Sequence, residues 1–94
     1  MRVQIVKSKN KTKKLMAVFT DGSFKKTIHF GAQGYSDYTV HKNNERKQRY
    51  LARHAPTENW NNPMTAGALS RWILWNKPSL RASISDFKKR FHLR

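Results

Sequence analysis

Apolar and polar side chains alternate through the first third of the chain, and the period then changes. In the opening run Val3 and Ile5 stand against Arg2, Gln4 and Val6. In the next, Leu15, Ala17 and Phe19 share one side of a pleat, with Met16 and Val18 on the other. In the third, Phe24, Ile28 and Phe30 share a face with Lys26, while Lys25, Thr27 and His29 take the opposite face. A period of two is that of strands buried on one side. Asp21-Gly22 between the second and third runs marks a hairpin, because a tight turn needs a residue that tolerates positive φ. Residues 1–30 are therefore expected to form a three-stranded antiparallel meander.

Residues 31–42 break the alternation. Gly31 and Gly34 punctuate them, and Tyr35 and Tyr38 flank Asp37. A structured loop is expected, with room for a short strand at Tyr38–Val40. A loop this long in a small domain either packs its aromatics inward or serves binding.

From residue 43 to 91 the period is helical. Asn43 or Asn44 can cap "ERKQRYLARH", which Pro56 stops. Pro63 and Thr65 open "TAGALSRWILW", which ends by Asn76-Lys77-Pro78. Ser79 caps "LRASISDFKKRF", where Leu80, Ile84, Phe87 and Phe91 make an apolar stripe. The pattern predicts one α+β domain over residues 1–94: a three-stranded antiparallel meander followed by three short helices packed on one face.

Charge changes this picture most. Twenty Lys and Arg face five acids, a formal net charge of +15 on 94 residues. Such a balance points to a polyanionic partner: DNA, RNA, an anionic membrane surface or an acidic protein. Lys9, Lys11, Lys13 and Lys14 are expected to protrude from a strand connection. Arg46, Arg49 and Arg53 form a stripe on the first predicted helix, with Tyr50, Leu51 and His54 assigned to a different, core-facing side. Lys88, Lys89 and Arg90 crowd the last helical turn, and Lys25 adds to the polar face of the sheet. These residues are the candidate nucleic-acid contacts. Asp37 and Glu58 are expected to fasten the loop and the crossover to the first helix through Arg46, Arg49 or Arg53.

Trp72 and Trp75 admit two readings, bolts of the core or a stacking platform for bases; helical spacing with Leu69 and Ile73 favours the core. Tyr35 and Tyr38, in the loop, are the better candidates for exposed stacking. No cysteine is present, and none of the four histidines form a helical metal pair, so no metal or cofactor is expected. No catalytic triad, phosphate-binding loop or dinucleotide fingerprint appears, so the expected protein is not an enzyme. No apolar run is long enough to span a membrane. The N-terminal segment lacks a secretory pattern, so secretion is not expected.

The strings "GYSDYT", "ERKQRYLARH", "ENW", "TAG" and "LSRWILWNKPSL", between Phe30 and Phe91, resemble a family of small basic proteins of large eukaryotic double-stranded DNA viruses, of the chlorella-virus and mimivirus-like groups. That family transfers no catalytic residue. The resemblance implies a viral protein, packaged in the virion or acting in the nucleus or cytoplasm of the infected host cell. Two functions then stand. One is a non-catalytic nucleic-acid-binding protein, insensitive to sequence and preferring DNA to RNA. The other is a minor capsid protein that contacts acidic surfaces of other viral structural proteins or membrane headgroups.

Overall fold

The computed structural model describes residues Met1–Arg94 and places strands where the alternation predicts them. Strands β1 (Arg2–Lys7), β2 (Lys13–Asp21) and β3 (Phe24–Ala32) form an antiparallel sheet in the order β1-β2-β3. The register pairs Val3 with Phe19 and Leu15 with Phe30, which brings the apolar faces of the strands together. The β2–β3 turn itself is Gly22-Ser23, one residue later than the Asp-Gly pair suggests, because Asp21 pairs with Phe24. Gly22 supplies the positive φ, at +60°.

Four helices follow. Helix α1 (Tyr38–His41) is a single turn inside the segment expected to be a structured loop with room for a short strand. The Asp37 side chain accepts the Thr39 amide and starts a helix instead. Helix α2 (Asn44–His54) has Asn43 as its cap. Helix α3 (Ala66–Leu69) is capped by Thr65 and runs on as a π-helical turn through Ser70–Leu74. Helix α4 (Leu80–Arg90) is capped by Ser79. A short 3-10 turn, Ala55–Thr57, carries Pro56 at the end of α2.

The core is one cluster. Val3, Ala17, Phe19 and Phe30 rise from the sheet against Leu69, Ile73 and Leu74 of the α3 segment and Phe87 of α4. Complete burial of each large side chain contributes roughly 1.5–3 kcal/mol. Two members of the predicted apolar faces stay outside: Phe24 and Leu80 are exposed. Both stand at the first residue of their element, beyond the reach of the opposing layer. Ser83, fully buried, takes the place in the α4 stripe that Leu80 does not fill, and its hydroxyl accepts the Lys77 amide.

Beyond the end of helix α4, His92 takes a φ of +54°, which lets Leu93 donate back to the Lys88 carbonyl at 2.8 Å. Arg94 then pairs with the free edge of β1, through Val3 N to Arg94 O at 2.9 Å and Arg94 N to Met1 O at 3.1 Å. The last turn of α4 thus lies at the β1 N-terminal end of the sheet. The Ser8–Thr12 connection lies at the other end, where the Gln33 amide donates to Thr12 O at 3.0 Å. No helix is long and apolar enough to cross a membrane.

Candidate functional site

At that second end of the sheet, the chain leaves β3 and turns away to build α1 and α2. The separation opens a cleft of about 700 Å3. Lys13, Lys14 and Gly31 line it from the sheet, Tyr35 and Asp37 from the loop. Arg46, Arg49, Tyr50, Arg53 and His54 line it from α2, and Gly67, Ser70, Leu74 and Trp75 from the α3 segment. Arg46, Arg49 and Arg53 therefore face the same space as Tyr50 and His54, against expectation. Positions 46, 49, 50, 53 and 54 follow the i, i+3, i+4, i+7, i+8 rule and form one helical face, a signal present in the sequence. Leu51 is half-buried, and α2 has no fully buried residue.

The cleft is cationic: five lysines and arginines line it beside two acids, and one of those acids, Asp37, is already paired. Asp37 is 3% exposed and bonds Lys14 Nζ at 2.7 Å. It also accepts from the amide and hydroxyl of Thr39. The expected pairing of Asp37 with an arginine of α2 is thus replaced by a pairing with β2. Glu58 lies 3.8 Å from His54 Nδ1, again with no arginine partner. Its carboxylate is laid on the backbone of Gly67, in the space a side chain there would fill. Arg49 faces Glu45 at 3.9 Å, but both side chains are more than half exposed, and such pairs hold little energy. Lys13, Arg46 and Arg53 have no acidic partner within 4 Å.

Aromatic rings build the floor. Tyr50 stacks on Trp75 with ring centroids 4.3 Å apart and planes 3° from parallel. His54 packs near Tyr50 at 4.4 Å, and His41 reaches Trp75 at 5.3 Å. Burial and the nearby Glu58 push the Tyr50 hydroxyl up to about 12, so the phenol stays neutral. Lys47, on the same helix, donates to the Asn76 carbonyl at 2.6 Å. Burial and the charges of Arg71 and Lys77 lower its pKa.

The two tryptophans part company. In a regular helix Trp72 and Trp75 would lie close to one side. The π turn, closed by Trp75 N to Ser70 O at 3.0 Å, adds a residue and turns them apart. The Trp72 ring is contacted by two guanidinium groups, Arg71 at 4.1 Å and Arg90 at 3.8 Å, and its indole N–H donates to the Trp60 carbonyl. Both rings are half-buried and pack against the core, so neither is an open platform.

Several predicted contacts lie elsewhere. Tyr38 is buried, donates to Asn44 Oδ1 at 2.7 Å, and offers no face for stacking. Lys47 stands over its ring. Tyr35 is 73% exposed. Lys9 and Lys11 are exposed in the Ser8–Thr12 connection, at the cleft end of the sheet but outside the cleft lining. Lys14 does not protrude freely; it is held by Asp37. Lys25 pairs with Thr20 toward the far end of β3. Lys88, Lys89 and Arg90 belong to the last turn of α4, at that far end too. Arg90 is occupied by Asp86 at 3.4 Å and by Trp72. The sequence reading missed Tyr50, His54, Glu58 and Trp75 as cleft residues; only the first two had a periodic signal.

Residues 3–54, more than half of the chain, match the model of a family of unknown function, DUF5754, and the chain belongs to that family. The matched segment contains every lysine and arginine of the cleft and Tyr35; the Gly67–Trp75 side of the cleft lies beyond it. No curated protein and no solved structure matches the chain.

Proposed function

We propose that this family member is a non-catalytic nucleic-acid-binding protein that holds the phosphate backbone, largely without regard to sequence, at the cationic cleft. One observation carries the reading: Lys13, Lys14, Arg46, Arg49 and Arg53, drawn from two separate parts of the chain, line a single cleft. Folding thus concentrates positive charge where self-repulsion opposes it, a cost that bound phosphates relieve. Arginine forks suit phosphate oxygens, and contacts of that kind position a strand without reading bases. Lys9 and Lys11 extend the same basic end. The sequence resemblance to proteins of large DNA viruses favours DNA over RNA and a site of action in the virion or infected cell.

The reading is tested by titrating single- and double-stranded DNA oligonucleotides across a range of salt, with an acidic protein as control. Both DNA forms should bind more tightly than the control. Changing Arg46, Arg49 and Arg53 together to Gln should weaken binding and reduce the slope of log affinity against log salt by roughly 2 to 3, since each lost phosphate contact removes about 0.7–0.9. DNA affinity no better than that of the acidic protein would sink the reading.

A further inference from the structure

We infer that the cleft accepts a single strand in preference to a duplex, with one base laid on Tyr35 and the backbone running along α2. This rests on the nucleic-acid reading above and specifies the form of the ligand.

Tyr35 is 73% exposed and lines a cationic cleft. The other tyrosines are not available. Tyr38 is buried under Lys47, and Tyr50 lies between Trp75 and His54. Tyr35 is held up by the turn before it, where its amide donates to Ala32 O at 3.4 Å and Gly34 takes a φ of +86°. A large apolar ring kept in water beside unpaired arginines gains most by stacking on a flat partner. Bases in a duplex have their faces covered by neighbouring pairs. Bases of a single strand do not, which is why single-strand binders combine a basic groove with exposed aromatics.

The shape of the cleft points the same way. A duplex is read by an element that projects into its major groove, about 12 Å wide. Here the exposed arginines of α2 border one wall of a cleft of about 700 Å3, with the sheet end and Gly67 among its other walls, rather than projecting on a ridge of their own. That volume is of the size that encloses a small organic ligand, within the range of about 300–1,000 Å3. A nucleotide or two can enter it with the backbone against the wall. Arg46, Arg49 and Arg53 span about 10 Å of helix axis, enough for roughly two or three successive phosphates of one strand.

The experiment compares a fluorescein-labelled oligo-dT single strand with a duplex of equal length, by anisotropy at one moderate salt concentration. The single strand should bind more tightly. Tyr35→Ala should weaken single-strand binding at least about fivefold, the lower end of one stacked base, and leave duplex binding unchanged. Tyr35→Phe should restore the loss. Because Tyr35 is exposed, all variants should keep the wild-type melting temperature, which the same samples can report. A duplex that binds as tightly as the single strand overturns the inference and leaves phosphate binding intact. So does a Tyr35→Ala protein with wild-type single-strand affinity. Failure of both forms to bind overturns this inference together with the reading it rests on.

Discussion

Gly31 and Gly67 both sit where a side chain would collide, and the collisions differ in kind. At Gly31 φ is +79°, and a Cβ would meet Leu74 Cδ1 at 2.7 Å, in the core. Neither the backbone nor the packed leucine can yield cheaply. Gly31→Ala should therefore cost about 2 kcal/mol or more, seen as a lower urea midpoint; an unchanged midpoint would show that this approach is not tight. At Gly67 the obstacle is only the tip of Glu58, a flexible side chain. Gly67→Ala gains helix propensity, up to about 1 kcal/mol, and drives the carboxylate off its seat. Its stability should stay within about 1 kcal/mol of wild type in the same urea experiment. A loss as large as that at Gly31 would mean that the Glu58 seat is itself a structural contact.

Helix α2 carries the proposed binding wall, yet it is the least embedded helix. None of its residues is fully buried, and it packs chiefly on α1 and the 3-10 turn. Its hold on the body is the Tyr50–Trp75 stack and the bond from Lys47 to Asn76. Its start depends on His41, whose Nδ1 accepts the amide of the capping residue Asn43 at 3.0 Å. That bond requires the neutral ring, with its proton on Nε2, which has no partner. Burial, together with the charges of Arg46 and Lys14, lowers the His41 pKa, and Asp37 opposes them. The unfolded chain thus binds a proton more readily than the fold. The resulting stability is present at neutral pH and lost as pH falls below about 6.5 toward the lowered value. His41→Gln should flatten the fall in melting temperature between about pH 7 and pH 5. If the mutant and wild type fall in parallel, α2 does not depend on this proton.

Five acids against twenty cations leave the folded chain repelling itself. The cations crowd both ends of the sheet: Lys9, Lys11, Lys13, Lys14, Arg46, Arg49 and Arg53 at one, and Arg2, Lys25, Lys26, Lys88, Lys89, Arg90 and Arg94 at the other. Screening should therefore stabilise the domain. Raising sodium chloride from about 50 mM to about 500 mM, where the Debye length shrinks well below 10 Å, should raise the melting temperature by a few degrees. A melting temperature that falls with salt would mean that pairs such as Lys14–Asp37 outweigh the repulsion.

The strands, the starts of α2, α3 and α4, and the apolar face of the sheet could be read in advance because their causes are local. The period of two from Val3 to Phe30 follows from the pleat, and Asn43, Thr65 and Ser79 cap helices by bonding amides three residues on. The excess of positive charge was equally plain. Which cations would act together was not, because twenty similar side chains carry no mark of their partners. Lys14 meets Asp37 across 23 residues, and Lys47 meets Asn76 across 29. The first exists only once the loop before α1 folds back on β2, and the second only once α2 reaches the segment that follows the π turn. The π turn after Leu69 likewise has no spacing signature, and where it ends Trp72 packs toward α4 and Trp75 toward α2. Local backbone physics thus fixed the strands and the capped helices and composition fixed the net charge, while long-range packing chose the cations of the cleft, the buried Tyr38 and the exposed Tyr35.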